Sequence, residues 1–238
     1  GLPIGNTTAQ NAKKIFGTDG VRGKVGTVLT PSLVLQLGYW CGHVLPKGGP
    51  VLIGQDSRIS GTMLASALST GLTAAGREVW LLGICPTPAV AALIKEVGAS
   101  GGLMVSASHN PPEDNGVKIF SQDGGKIGSK QQQLIESRLQ EESTDHKVRP
   151  TFTKCGQIYQ RHDLLRAYKQ QLLASVKNKT LSGLKIVLDL CWGSATSCGA
   201  EVFEALGADL TVLHGQANGE QINVGCGSTH LAPLRNAV

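Results

Sequence analysis

One segment in the first half of the chain carries several groups that could take part in catalysis. It spans residues 105–118 and reads VSASHNPPEDNGVK. Ser108 offers a nucleophilic hydroxyl and Asn110 offers an amide, while His109 and Lys118 can each exchange a proton. The two adjacent prolines restrict the backbone, so these side chains could be held in place with little further loss of entropy.

The chemistry of Ser108 has more than one interpretation. The segment lacks the Gly-x-Ser-x-Gly turn of the serine hydrolases. Neighbouring side chains on an extended chain point to opposite sides, so His109 is poorly placed to deprotonate Ser108 directly. Such a hydroxyl is better suited to bind a metal ion or to carry a phosphate group. From composition alone, a structural turn rich in Pro, Asn and Gly is the commoner explanation, and both interpretations stay open here.

A second segment, residues 16–23, reads FGTDGVRG. Its three glycines would let backbone N–H groups approach an anion, and Arg22 could bind a phosphate with two parallel hydrogen bonds. The spacing matches neither a Walker loop nor Gly-x-Gly-x-x-Gly. Taken alone, the segment is therefore most simply a glycine turn with a surface arginine.

Alternating helical and strand patterns must position both segments, and they predict an α/β protein with a layered mixed sheet flanked by helices. In such proteins, loops at strand ends hold ligand groups. Ser60 is predicted to be the N-cap of the second helix. The predicted helices cover residues 31–45, 61–75, 89–97, 129–142, 163–176 and 197–206, with a helix beginning in 230–238, and the predicted strands cover 50–53, 78–82, 103–105, 117–120, 184–190 and 210–213.

A polar stretch with little periodicity, residues 143–157, predicts a domain boundary. We therefore expect one complete domain in residues 1–150, which contains the Ser108 loop. Residues 151–238 show one strand–helix–strand unit and little more. Because so few strands cannot cover their own edges or fill a core, we expect them to be the beginning of a second, similar domain.

Composition and charge exclude several classes of protein. Apolar residues make up 41% of the chain and charged residues 16%, which is typical of a globular protein rather than a disordered one. The net charge of +5 is scattered, with no basic run longer than Lys13-Lys14, and aromatic residues are only 4%. We therefore expect no nucleic-acid partner, while a pocket for a small anionic ligand remains open.

The cellular setting is also predicted from absent patterns. The six cysteines form no Cys-x-x-Cys pair and show no zinc-site spacing. This pattern favours reduced thiols over disulfides or a zinc site. The first residues lack a basic stretch followed by an apolar one, and no apolar run approaches the length of a membrane span. We expect a cytoplasmic protein with no membrane partner.

Considered together, segments 16–23 and 106–120 resemble the α-D-phosphohexomutase superfamily and, within it, the bacterial phosphoglucosamine mutases. The string Ser-Ala-Ser-His-Asn-Pro followed by Asp-Asn-Gly-x-Lys is highly specific, and the start Phe-Gly-Thr-Asp-Gly-x-Arg-Gly is similar to the glucosamine branch. The resemblance extends to residues 51–58 and 86–90, and weakly to 187–193, so it covers almost the whole chain in order.

This resemblance implies an intramolecular phosphotransferase, an isomerase that interconverts glucosamine 6-phosphate and glucosamine 1-phosphate for cell-wall precursor synthesis. Ser108 would carry the phosphoryl group and pass it to the phosphosugar through a bisphosphate intermediate. Mg²⁺ would bind the phosphoserine oxygen, which makes Ser108 a metal ligand as well. Arg22 would hold the phosphoserine region and assist catalysis, and Lys118 would transfer a proton to or from the sugar hydroxyl. His109 and Asn110 would shape the same pocket, His109 as a catalytic group and Asn110 as a substrate contact.

The sequence also departs from the superfamily. The run Asp-Gly-Asp-Gly-Asp-Arg, which holds the metal in these enzymes, is absent and would fall after Val238. We therefore expect the 238-residue chain to be a fragment with negligible mutase activity on its own. Two alternatives remain: a mutase that prefers glucose or mannose phosphates, and a truncated binding module without catalysis. The sequence does not indicate which oligomeric state the protein adopts.

Overall fold

The computed structural model describes residues 14–141 and 148–238. Its main sheet has six strands in the order β1-β5-β4-β2-β3-β6. Strand β2 pairs in parallel with β3 and β4, and β6 pairs in parallel with β3, whereas β5 runs antiparallel to both β4 and β1. The strands are β1 (Val21–Lys24), β2 (Val51–Gln55), β3 (Val79–Ile84), β4 (Gly101–Val105), β5 (Asp114–Phe120) and β6 (Ile158–Gln160).

Helices cover both faces of this sheet, which confirms the predicted α/β class. These helices are α1 (Pro31–Val44), α2 (Gly61–Ala74), α3 (Thr87–Val97), α4 (Ser129–Gln140) and α5 (Leu164–Ser175). Successive strand residues point to opposite faces, so Ile53 packs in the core under α1, α2 and α4, while Leu52 packs in the core under α3 and α5.

The helix starts follow local rules, with one exception. Thr30 caps α1, since its Oγ1 accepts a hydrogen bond from the backbone N of Leu33 at 3.2 Å, and Pro31 occupies the first turn. Ser60 occupies the predicted N-cap position of α2, but its side chain does not cap the helix. Ser60 already has helical backbone angles and makes no cap hydrogen bond; its hydroxyl instead accepts from Nδ2 of Asn115 at 2.8 Å. Ser60 therefore ties α2 to strand β5.

The remaining elements build a smaller parallel pair of strands, β7 (Lys185–Asp189) and β8 (Asp209–Leu213), with helices α6 (Gly199–Ala205) and α7 (Ala232–Ala237). This is the predicted strand–helix–strand unit. Although β6 and α5 follow residue 150, β6 extends the main sheet and α5 packs on α3. The boundary between residues 150 and 151 stays a prediction. The predicted helix 129–142 ends at Gln140, and residue 142 lies outside the described residues.

The sequence pattern does not predict β1 or β6. Strand β1 lies in the glycine segment 16–23, and β6 has only three residues, all of them exposed. Neither shows the alternation by which a half-buried strand is recognised. In the described part of the chain, no helix is both long enough and apolar enough to cross a bilayer.

Candidate active site

The candidate site begins where two neighbouring parallel strands end. The register pairs Gln55 of β2 with Val105 of β4, so Asp56 and Ser106 emerge side by side at one edge of the sheet. Ser106 Oγ donates to Asp56 Oδ2 at 2.7 Å and accepts from the backbone N of Ser108 at 3.0 Å. The carboxyl edge of the sheet therefore fixes the backbone on which Ser108 is carried.

Ser108 itself has an exposed side chain and a left-handed backbone with φ of 54°. A non-glycine residue in this region is strained, and such residues concentrate at functional sites. The side chain borders a cavity of about 350 Å³ between the main sheet and the β7–β8 unit. That volume lies at the lower end of the range for small-molecule sites. The hydroxyl is therefore accessible to a ligand while its backbone is held.

Arg58 holds this loop from inside the protein. Its side chain is buried and its Nε donates to Asp56 Oδ2 at 3.1 Å. The two terminal nitrogens then donate to four loop carbonyls, those of Ser108 at 2.9 Å, Asn110 at 3.0 Å, Asp114 at 3.1 Å and Pro111. Sequence reasoning assigned no role to Arg58. The sequence pattern that could have indicated this role is an apolar strand followed by Asp-x-Arg, because a planar guanidinium at that position can donate to several acceptors at once.

The opposite wall of the cavity also contacts the loop. Asn223 Nδ2 donates to the carbonyl oxygens of Ser108 at 2.8 Å and Asn110 at 3.1 Å. Asn223 has a left-handed backbone with φ of 62°. Ser57 Oγ donates to the carbonyl oxygen of Trp192 and forms a second link across the cleft. Sequence reasoning missed Asn223, because no pattern relates two residues that are 115 positions apart.

The carboxyl end of β7 contributes the Asp189 carboxylate and the Cys191 thiol to this wall, and the thiol of Cys226 lies buried beside them. Asp189 Oδ1 accepts from the backbone N of Cys191 at 2.9 Å and lies 2.8 Å from His214 Nδ1, and Oδ2 accepts from the N of Gly227 at 3.0 Å. Burial opposes ionisation of Asp189, but these hydrogen bonds outweigh it and lower the pKa of the carboxyl. Burial raises the pKa of Cys191 to about 12 and also raises the pKa of Cys226.

Of the five predicted site residues, Ser108 and His109 line the cavity together. Asn110 lies beside it, where its Nδ2 donates to Asp114 Oδ2 at 3.2 Å and its carbonyl oxygen accepts from Arg58. The structure therefore uses the backbone of Asn110 to hold the loop and directs its amide to a loop carboxylate.

The other two predicted residues, Arg22 and Lys118, do not line that cavity. Arg22 lies on β1 next to Asp19, at 3.9 Å, and its buried Nε has no hydrogen-bond partner within the described ranges. Lys118 lies on β5, with Nζ 5.6 Å from the centre of the Phe120 ring. Sheet pairing nonetheless joins the two segments, because all four residues of β1 pair with residues 114–117 of β5.

The described residues do not by themselves fit a Mg²⁺ site. Mg²⁺ requires hard oxygen ligands in octahedral arrangement. Asp56 is committed to Arg58 and Ser106, and Asp189 lies against two thiols, which suit softer metals. This leaves Ser108 as the one predicted ligand in the cleft, so no catalytic step below passes through Mg²⁺.

Comparisons with known proteins identify the family of the chain. The family described as phosphoglucomutase/phosphomannomutase, alpha/beta/alpha domain I, matches residues 13–146. A phosphoglucosamine mutase of Prochlorococcus marinus (strain MIT 9313) is 65% identical over all 238 residues, which cover 50% of that protein. One of Synechococcus sp. (strain WH7803) is 64% identical over 95% of this chain and 48% of its own length.

Solved structures show the same fold. A phosphoglucomutase/phosphomannomutase family protein from Burkholderia thailandensis is 29% identical, with a TM-score of 0.74, over 87% of this chain and 45% of that one. A protein from Thermus thermophilus is 27% identical, with a TM-score of 0.79, over 94% of this chain and 51% of its own. The chain thus spans about half the length of the relatives it matches.

Proposed function

The chain belongs to the phosphoglucomutase/phosphomannomutase family, and on that premise we propose that it is part of a phosphoglucosamine mutase in which Ser108 carries the phosphoryl group. The observation that carries this proposal is the geometry of Ser108. Its hydroxyl is exposed in the cleft while its carbonyl oxygen is held by Arg58 and Asn223. A phosphoryl carrier needs both features, because in-line transfer depends mainly on positioning.

The proposed reaction has two transfers. Phosphorylated Ser108 donates its phosphoryl group to a hydroxyl of glucosamine phosphate: the bond from phosphorus to the serine oxygen breaks as the bond to the sugar oxygen forms. The sugar hydroxyl loses its proton to a base, for which Lys118 is the candidate. The freed Ser108 oxygen takes up that proton. The resulting bisphosphate then turns around: the bond from its other phosphorus to the sugar oxygen breaks as a bond to the Ser108 oxygen forms, and the serine proton passes to the freed sugar oxygen, which leaves the isomeric monophosphate.

The remaining predicted residues have supporting roles in this proposal. Arg22 would hold phosphate oxygens near Ser108, which is supported by its buried, unpaired Nε within the described residues. His109 would act in the cleft that it lines, and Asn110 would contact the substrate. Because Lys118 and Arg22 lie outside the 350 Å³ cavity, their action requires a substrate that extends from the cleft toward β1 and β5.

Other properties of the whole protein are also proposals. Mg²⁺ would bind the phosphoserine only together with carboxylates that the described residues do not supply. A phosphosugar substrate follows from the family resemblance, whereas the cytoplasmic location and the division into domains at residues 150 and 151 rest on the sequence patterns. Glucosamine is favoured over glucose or mannose because the relatives at 64–65% identity are phosphoglucosamine mutases.

The test is to locate the phosphoryl group. The protein purified from its own cells would be treated with glucosamine 1,6-bisphosphate, digested, and its phosphopeptides mapped by mass spectrometry. We expect one phosphoryl group on Ser108 and none after Ser108→Ala. Ser228→Ala is the matched control, since Ser228 lines the same cavity, and it should leave phosphorylation unchanged. Phosphorylation that persists in Ser108→Ala would contradict the proposal.

A second measurement addresses the chain by itself. The purified 238-residue chain should show no measurable turnover of glucosamine 6-phosphate in a coupled assay. Parallel assays with glucose and mannose phosphates on the longer protein separate the glucosamine mutase from the other hexose mutases. Turnover by the 238-residue chain would contradict the expected inactivity without affecting the role of Ser108.

A further inference from the structure

Three side chains with metal-binding atoms meet at the carboxyl end of β7. They are Asp189, Cys191 and Cys226, which we call the thiol cluster, and their ligand atoms all lie within 4.8 Å of one another. Cys226 is 1% exposed, whereas Cys191 is partly exposed and lines the cleft. The proposed phosphoryl transfer uses none of the three.

The carboxylate of the cluster is held in a fixed orientation. Its Oδ1 is engaged by the backbone N of Cys191 and by His214 Nδ1, while Oδ2 accepts only from the backbone N of Gly227 among the described contacts. A carboxylate oxygen can accept two hydrogen bonds, so Oδ2 retains one lone pair. Hydrogen-bonded ligands of this kind are typical of built metal sites.

The backbone packs closely around the thiols. A Cβ placed on Gly227 would lie 2.0 Å from Cys191 Sγ, so only glycine permits this approach, and φ of 83° at Gly227 requires it as well. Cys191 also has a left-handed backbone with φ of 57°. The left-handed backbone of Cys191, a non-glycine residue, indicates that the fold maintains this arrangement at some energetic cost.

We propose that Asp189, Cys191 and Cys226 form a binding site for a thiophilic divalent cation such as Zn²⁺, with a fourth position open to the cleft. Two thiolates and one carboxylate are a ligand set that Zn²⁺ accepts and Mg²⁺ does not. Tetrahedral Zn²⁺, with bonds of about 2.0–2.3 Å, places its ligand atoms about 3.5–3.8 Å apart. The cluster therefore has to contract by only about 1 Å.

Binding of the cation to the thiol cluster releases two protons. Both thiols lose their protons to solvent as the metal–sulfur bonds form, and the cation with two thiolates and one carboxylate carries a net charge of −1. The cation enters from the cleft, since Cys191 lines it, and a water molecule completes the fourth position. His214 acts as the outer partner that keeps Asp189 oriented.

The test measures Zn²⁺ binding to the reduced 238-residue chain by competition with a chromophoric chelator. Cys155 is exposed, so every variant is made in a Cys155→Ser background. We expect one Zn²⁺ per chain, with at least about a 10-fold loss of affinity in Cys191→Ser and Cys226→Ser. Cys198→Ser is the matched control: Cys198 is also buried but lies outside the cluster, and its loss should not change affinity.

Spectroscopy keeps the proposal testable if a serine variant fails to fold. Co²⁺ added to the Cys155→Ser chain should give thiolate-to-cobalt charge-transfer and tetrahedral ligand-field bands, weakened by His214→Ala. An octahedral, oxygen-type Co²⁺ spectrum would overturn the proposal, as would Zn²⁺ affinity that is equal in the Cys226→Ser and Cys198→Ser chains.

Discussion

The guanidinium of Arg58 donates from Nη2 to the carbonyl oxygen of Ser108 at 2.9 Å, across 50 positions of sequence. The same carbonyl oxygen accepts from Asn223 Nδ2 at 2.8 Å. Two side chains from opposite walls of the cleft therefore hold the backbone of one exposed serine. Because the contacts are to the carbonyl, the hydroxyl stays available for chemistry.

Arg58→Ala should strongly destabilise the protein. The substitution leaves the Asp56 carboxylate buried without its cation and removes donors from four loop carbonyls. We expect the free energy of unfolding to fall by about 3–5 kcal/mol, as when one partner of a buried ion pair is removed. Urea denaturation measures it. Arg166→Ala, on an exposed position of α5, should change it by less than about 0.5 kcal/mol. Equal effects of the two substitutions would show that Arg58 does not hold the loop.

Asn223→Gly should loosen the Ser108 loop without unfolding the protein. Glycine tolerates the left-handed backbone, so the substitution removes only the two hydrogen bonds from the amide. Loss of about 1 kcal/mol of local stability corresponds to roughly fivefold faster hydrogen exchange at residues 108–110. Asn178→Gly is the control, because Asn178 also has positive φ and lies away from the cleft. Unchanged hydrogen exchange at residues 108–110 in Asn223→Gly would show that Asn223 does not hold the Ser108 loop.

Gly116→Ala should disturb the pairing of β1 with β5. The added Cβ would lie 2.7 Å from both Arg22 Cγ and the Val21 carbonyl oxygen, and 2.8 Å from the Ser106 carbonyl oxygen. Backbone atoms on two sides cannot both move away, so we expect a loss of about 1–3 kcal/mol in thermal or urea unfolding. Gly128→Ala meets only Gln131 Oε1, at 3.6 Å, and should lose less than about 1 kcal/mol.

His43 should make stability depend on pH. Although His43 is exposed, partial desolvation of its ring, with the charges of Lys47 and Arg77, lowers the pKa of His43 from 6.5. Protons then bind more readily to the unfolded chain, so the contribution of His43 is complete above pH 6.5 and is lost as pH falls through the folded-state pKa. His43→Gln should therefore reduce the difference in free energy of unfolding between about pH 8 and about pH 5. His230→Gln removes a histidine from another part of the surface and should retain the wild-type difference.

Most of the architecture could be predicted from local pattern. The long helices and central strands follow apolar periodicity that is visible within a dozen residues, and Thr30-Pro31 marks the start of α1. Short elements were not predictable in this way. Strand β6 is three exposed residues whose only reason to be extended is the free edge of β3. Ser60 stands at the predicted N-cap position, but its hydroxyl accepts a hydrogen bond from Asn115 of another element and makes none with the first turn of α2.

Part of the candidate site could likewise be predicted from the sequence, and part could not. The residue types in segments 16–23 and 105–118 are a property of the sequence by itself, and they were sufficient to identify Ser108 as the candidate carrier and to indicate the family. Only the tertiary structure decided what surrounds it. Arg58 and Asn223 bind the Ser108 carbonyl, and Asp189, Cys191 and Cys226 meet across the chain. The physical reason is that periodicity reports which face of an element is buried, whereas hydrogen bonds between distant residues depend on how the layers pack.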